Sequence, residues 1–287
     1  MDWITSIREA IKYIEDNITS DLTINDIVNR VLYLSPFYFQ KGFAMLCGFT
    51  VSEYIRKRRL SLAGSELLNT NFKIIDIALK YGYDTPDSFT KAFKRFHGCT
   101  PSDVRSNDAT LKAYAPLNLI FSLKGGDSMD YKIVKREAFT VMGYAKIFNY
   151  DEAYQSVPEF WMEHLNSKKA QDICGIYGIN YDEGMTGDKF MYMIADDYVP
   201  KKDISNDLIT KVIPAHIWAV FPSVGPTKQK LKELNQKIFT EWLPNCKDYE
   251  IAEGYNIEKY SDIINYKLGV DDPQYYCEIW IPVKKKN

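Results

Sequence analysis

The 287-residue sequence predicts a multidomain chain, an all-α domain of two helix-turn-helix units followed by an α+β domain built on an antiparallel sheet. Three observations predict it. The first hundred residues match themselves without a gap at an offset of fifty, helical periodicity lapses toward Gly125-Gly126, and beyond that hinge the order strand, helix, strand, strand runs twice. The length suits two cores of roughly 100–200 residues each. The expected division is 1–106 for the helical domain, 107–127 for a linker and 128–287 for the α+β domain.

In the repeat, LTINDIVNRVLYLSPFYFQKGFAMLCGFTVSEYI from Leu22 lies over FKIIDIALKYGYDTPDSFTKAFKRFHGCTPSDVR from Phe72. Identities include Asp26 with Asp76, Tyr33 with Tyr83, Pro36 with Pro86, Phe39 with Phe89, Lys41 with Lys91, Phe43 with Phe93 and Gly48 with Gly98. Each copy reads as a short helix, a turn containing tyrosine, and a second helix opened by Ser35-Pro36 or Thr85-Pro86. The hydroxyl caps the helix and proline suits its first position. Phenylalanines four apart mark one buried face of each second helix, and Gly48 or Gly98 ends it. Between the copies, YIRKRRLSLAGSELL carries Leu60, Ala63 and Leu67 on one face of a connecting helix.

Two recognition helices held at a fixed distance can enter successive major grooves about 34 Å apart. The expected exposed positions are Phe37, Tyr38, Gln40 and Lys41 in copy one, and Asp87, Ser88, Thr90 and Lys91 in copy two. Glutamine suits adenine, lysine suits guanine or phosphate, and the ring of Phe37 suits a thymine methyl. Arg56, Arg58, Arg59, Lys94 and Arg95 are expected on phosphates, which position without reading sequence. The alternative is a helical bundle whose charges are merely solvated.

Charge and composition narrow the classes further. Through Ser106 there are 14 basic against 12 acidic residues, and beyond it 22 against 26, so a DNA contact depends on local clustering rather than a global field. The amino terminus does not read as a signal peptide and no run reaches the length of a bilayer span, which places the protein in the cytoplasm. Cys47, Cys99, Cys174, Cys246 and Cys277 are scattered, and His97, His164 and His216 fall in no nucleophilic or metal-ligand pattern. No metal, no cofactor and no enzyme activity is expected. The short run PLNLIFSL is expected to be a packed strand.

In the second domain, TVMGYAKIF, a helix over DEAYQSVPEFWMEHLNSKK, DICGIYGIN and KFMYMIADDY form the first strand-helix-strand-strand set. VIPAHIWAVFPS, PTKQKLKELNQKIFTEWL, YEIAEGYNIEKY and YYCEIWIPV form the second. Alternation puts Tyr276, Glu278 and Trp280 on one sheet face. A carboxylate among aromatic rings suits a lipophilic cation, through charge pairing and cation–π contact. The other reading sets Glu278 on a solvated face or pairs it with a lysine.

These residues also carry a resemblance. IIDIALKYGYDTPDSFTKAFKRFHGCTPSDVR resembles the signature of the AraC/XylS regulators, and residues 4–105 resemble their complete two-unit DNA-binding domain. Residues 129–284 resemble the GyrI-like, or SHS2-type, effector-binding domain of Rob-like regulators and of the drug-sensing regulator BmrR. That resemblance implies a pocket glutamate at Glu278 in CEIWIP, with Trp161, Tyr192 and Trp218 at aromatic positions. It further implies a DNA-binding transcription regulator, an activator, that senses a small aromatic or cationic effector. Promoter DNA, the effector and RNA polymerase are the expected partners of a monomer or weak homodimer. Alternatives for the second domain are a small-molecule hydrolase and a protein-interaction module.

Overall fold

A computed structural model describes residues 3–31, 35–106, 109–118, 129–181, 189–200 and 207–286. The expected hinge at Gly125-Gly126 lies outside the described residues, as does most of PLNLIFSL, whose Pro116, Leu117 and Asn118 are not in a strand. Seven helices precede the linker among the described residues: α1 (Trp3–Asp16), α2 (Ile24–Val31), α3 (Pro36–Cys47), α4 (Val51–Asn69), α5 (Ile74–Lys80), α6 (Pro86–His97) and α7 (Pro101–Arg105). The chain divides into two compact units: Trp3–Tyr33 with Phe49–Leu123, and Leu34–Gly48 with Lys124–Asn287. Helix α3 therefore belongs with the second unit.

The first unit packs α4 against the second repeat. Leu60, Ala63 and Leu67 of α4 share one core with Ile77 and Ala78 of α5, Phe89 and Phe93 of α6, and Val104 of α7. The local chemistry of the repeat holds in both copies. Ser35 accepts from the Tyr38 N–H and Thr85 from the Ser88 N–H, each proline takes the first turn, and Gly48 and Gly98 close with φ of 77° and 89°. At those angles a Cβ would strain the backbone, so glycine is the residue that stops the helix.

Arg58 does not reach the surface expected for a phosphate contact. It is 7% exposed, and its guanidinium donates to both carboxylate oxygens of Glu15 at 2.7–3.1 Å and to the Tyr114 carbonyl. Arg59 is likewise committed, donating to the carbonyls of Ile18 and Ser20. Helical periodicity along α4 leaves Arg56 exposed.

In the second unit the strands are β1 (Lys132–Arg136), β2 (Phe139–Asn149), β3 (Tyr177–Tyr181), β4 (Lys189–Asp197), β5 (Ile209–Ile213), β6 (His216–Val224), β7 (Tyr249–Ile251), β8 (Tyr255–Tyr260) and β9 (Tyr276–Lys285). They form one antiparallel sheet in the order β1-β6-β9-β8-β3-β4-β2-β5, with β7 on β9. Helix α8 (Ala153–Leu165) follows β2, and α9 (Thr227–Lys237) follows β6 and runs on as a π-helical turn through Trp242. The expected doubled strand-helix-strand-strand order is present, with β1 and β5 added at the edges and the expected strand over YEIAEGYNIEKY divided into β7 and β8. Each edge strand pairs with the first strand of the other half, β1 with β6 and β5 with β2.

The sheet has two differently filled faces. Phe148, Phe190, Tyr192 and Ile194 lie under Val157, Phe160 and Trp161 of α8, while Ile179, Met193, Trp218, Val220, Ile257 and Trp280 form a separate core on the opposite face. Residues paired across neighbouring strands project to the same side. The register aligns Glu258 with Ile279 and Lys259 with Glu278, so the two glutamates lie on opposite faces. No helix among the described residues is long and apolar enough to cross a membrane.

Arg58→Ala is expected to lower the stability of the chain by roughly 3 kcal/mol, because removing one partner of a largely buried ion pair strands the other charge. Chemical denaturation followed by circular dichroism measures it. A variant as stable as the parent would show that Glu15 finds another partner.

Candidate functional site

On the helix-covered face Glu258, in β8, is a carboxylate held by phenols. Its Oε2 accepts from the Tyr192 hydroxyl at 2.9 Å and from the Tyr260 hydroxyl at 2.8 Å. The Trp161 indole N–H donates in turn to the Tyr192 oxygen at 2.9 Å, and its ring meets Tyr260 edge-on at 5.1 Å. Burial, with the charge of Glu258 next, pushes both phenols well above their ordinary range, which keeps them protonated as donors.

A glycine makes this arrangement possible. Gly178 of β3 pairs directly with Glu258. A Cβ there would lie 2.1 Å from the Tyr192 oxygen and 3.2 Å from Glu258 Oε2, so the phenol crosses β3 over a bare Cα. On the same face the buried amides of Asn180 and Asn256 stand side by side, each with its Nδ2 unpartnered among the described residues. An unmet buried donor costs about 1–3 kcal/mol, so this floor is poor packing material and a receptive surface for a ligand.

Helix α3 lies against this region. Lys41 Nζ donates to Asn256 Oδ1 at 3.1 Å, and the Tyr38 hydroxyl donates to the Tyr255 carbonyl at 2.8 Å. The rings of Phe37 and Tyr38 contact Tyr150 and Phe239. Burial lowers the Lys41 ammonium to about 8, against the opposing pull of the Glu258 charge. Phe37, Tyr38 and Gln40, expected on the surface, are instead 1%, 1% and 4% exposed. The sequence held a signal for this: Phe37-Tyr38-Phe39 puts aromatic rings on more than one side of the helix, where copy two has Asp87-Ser88-Phe89.

Glu278 stands among the aromatic residues expected beside it and is also paired with a lysine. It is 6% exposed, accepts from Lys132 at 3.0 Å, and takes hydrogen bonds at 2.7 Å from the Tyr276 hydroxyl and the Trp280 indole. Although burial opposes it, these donors and the Lys132 charge hold the carboxyl below its usual range. Trp218 packs on Trp280 at 5.8 Å on that face. The six residues expected to share a pocket thus divide: Trp161 and Tyr192 accompany Glu258, whereas Trp218, Tyr276 and Trp280 accompany Glu278. Sequence reasoning missed Glu258 because IEKY looks like the polar edge of a strand, and its phenolic partners come from β4 and from its own strand.

In copy two the expected pattern of exposure is present. Ser88, Lys91, Lys94 and Arg95 are exposed on α6 and Thr90 is partly so. Local bonds hold the short side chains: Ser88 and Thr90 donate to the carbonyls of Thr85 and Pro86, and Lys91 pairs with Asp87 at 2.8 Å.

A family model described as integron-associated effector binding protein, Cass2, matches residues 132–283, more than half of the chain, and a helix-turn-helix domain model matches residues 18–107. The HTH-type transcriptional activator AarP of Providencia stuartii is 41% identical over 102 residues, 36% of this chain and 75% of that protein. The chain belongs to the AraC-type helix-turn-helix regulators, with a Cass2 effector-binding domain. The regulatory protein SoxS of Salmonella typhimurium is 39% identical over 99 residues, 34% of this chain and 92% of that protein. The Cass2 domain is also similar to the integron cassette protein VCH_CASS2 of Vibrio cholerae, at 15% identity, with 54% of this chain and 95% of that one covered and a TM-score of 0.41. It is a GyrI-like antiparallel sheet domain, and the AraC-type domain makes the chain a DNA-binding regulator.

Gly178→Ala is expected to push Tyr192 off Glu258 and to destabilise the Cass2 domain by about 2 kcal/mol, the cost of disrupting a half-buried, charge-assisted hydrogen bond. Trp161 emission should change as it does in Tyr192→Phe. Parent-like stability and emission would mean that the phenol can leave without consequence.

Proposed function

We propose that this AraC-type regulator activates transcription in response to a lipophilic cation, and that Glu258 reads the charge of that cation. The observation that carries the reading is the cluster itself: a carboxylate held by two phenols, bordered by an indole, over a floor with two unpartnered buried amide donors. Aromatic faces attract a desolvated cation and a nearby carboxylate adds charge pairing. Glu278 is the weaker candidate, because a lysine, Lys132, is bonded directly to its carboxylate, whereas the lysine nearest in charge to Glu258, Lys41, is bonded to Asn256 instead. The role is that of a sensor rather than a catalyst. Trp218, Tyr276 and Trp280 then support the sheet from its other face, while Trp161 and Tyr192 line the site.

On the DNA side, Ser88, Thr90 and Lys91 of α6 are the proposed reading residues of copy two, with Arg56, Lys94 and Arg95 on phosphates. Phe37, Gln40 and Lys41 are the proposed reading residues of copy one when α3 is free. Two recognition helices linked through α4 suit a monomer or weak dimer on promoter DNA once α3 is free, with RNA polymerase as the partner through which activation would act. A cytoplasmic location accords with this role.

Tetraphenylphosphonium, a neutral aromatic and an aromatic anion, titrated by tryptophan fluorescence, test the effector reading. Saturable quenching by the cation alone is expected, lost in Glu258→Gln by about tenfold or more in affinity and retained in Glu278→Gln. Loss in Glu278→Gln with an unaffected Glu258→Gln would reverse the assignment. For DNA, Arg95→Ala is expected to weaken specific and random duplexes alike and to reduce the salt slope by about 1. An unchanged slope would remove Arg95 from the phosphate set.

A further inference from the structure

The Glu258 region is already met by a cation from the chain itself. Lys41 donates to Asn256, two residues before Glu258 on the same face of β8, and the Glu258 charge stabilises its ammonium. The Phe37 ring lies 5.7 Å from that ammonium, and the Tyr38 hydroxyl ties the helix to the Tyr255 carbonyl. An ammonium near an aromatic ring and within the field of a carboxylate is the chemistry the site would ask of an external ligand.

The second repeat supplies an internal comparison. Lys91 occupies the position equivalent to Lys41, yet its side chain is 77% exposed and pairs with Asp87. The two helices share caps, the phenylalanine pair and the closing glycine. They differ at the first two positions after proline, where α3 has Phe37-Tyr38 and α6 has Asp87-Ser88. Those two rings give α3 a second apolar face, and that face is the one applied to the sheet.

We propose that Lys41, carried by α3, is a built-in ligand of the Glu258 site, and that a lipophilic cation displaces it and frees the base-reading face of the helix. The proposal rests on the effector reading above and assigns its regulation. Two cations beside one carboxylate repel, and the rings of Phe37 and Tyr38 occupy space that an aromatic ligand would take. Occupancy by α3 and by effector is therefore competitive. By linkage, whatever loosens α3 tightens the effector, since apparent affinity falls with the fraction of sites that are open.

Hydroxyl-radical footprinting of the full chain, read by mass spectrometry with and without tetraphenylphosphonium, measures this directly. Oxidation of Phe37 and Tyr38 should rise about fivefold at saturating ligand while the buried Phe89 of α6 stays unchanged. Lys41→Gln and Tyr38→Ala should each raise that oxidation without ligand and bind tetraphenylphosphonium about three- to tenfold more tightly. Saturable, Glu258-dependent binding with no change in α3 oxidation, and equal affinity in both variants, would overturn the gating while leaving the effector reading intact. Binding to none of the three proteins would overturn both.

Discussion

The charge of Glu258 is the constraint around which the second unit is arranged. A carboxylate on a helix-covered sheet face must be given donors or be returned to water, because an unpaired charge in such a place is costly. Tyr192 reaches it from β4 across the bare Cα of Gly178, and Tyr260 from the same strand. The hydroxyl of Tyr192 then needs a donor on its other side, which is the indole of Trp161, and that contact helps to place α8. One charge thus links three strands and a helix.

The same face explains why two copies of one motif came to differ. Both recognition helices begin with a hydroxyl cap and proline, bury phenylalanines four apart, and end at a left-handed glycine. In α6 the remaining surface is polar and meets solvent. In α3 it carries Phe37 and Tyr38, and burying two aromatic rings is favourable by a few kcal/mol, enough to give the helix a second partner. The polar members of that face, Gln40 and Lys41, go with it. A residue type that suits a base edge also suits an amide or carboxylate in a protein, so the side chain alone does not say which it meets.

Charges elsewhere divide into those that are satisfied at home and those that are not. Arg58 is closed off by Glu15 and Tyr114, and Glu278 by Lys132, Tyr276 and Trp280. Both stand out in the sequence: one belongs to a basic run on a helix, the other interrupts an apolar strand. Their partners lie 43 residues away for Glu15 and 146 for Lys132, separations that no local pattern encodes. Arg56, Lys94 and Arg95 remain exposed because helical periodicity turns them away from Leu60 and Phe93, and that was legible.

The sequence by itself determined the local chemistry: the repeat, its caps and stops, the apolar stripe of α4, and the doubled strand-helix-strand-strand order. These depend on spacings of a few residues, which backbone geometry converts into helices and strands almost without reference to the rest of the chain. Tertiary structure alone decided which carboxylate gathers phenols and an indole under α8. Pairing of β8 with β9 sends Glu258 and Glu278 to opposite faces, and only packing brings Tyr192, Trp161 and Lys41 to one of them. The physical reason is that a charge is defined by its neighbours in space, and here those neighbours come from distant parts of the chain.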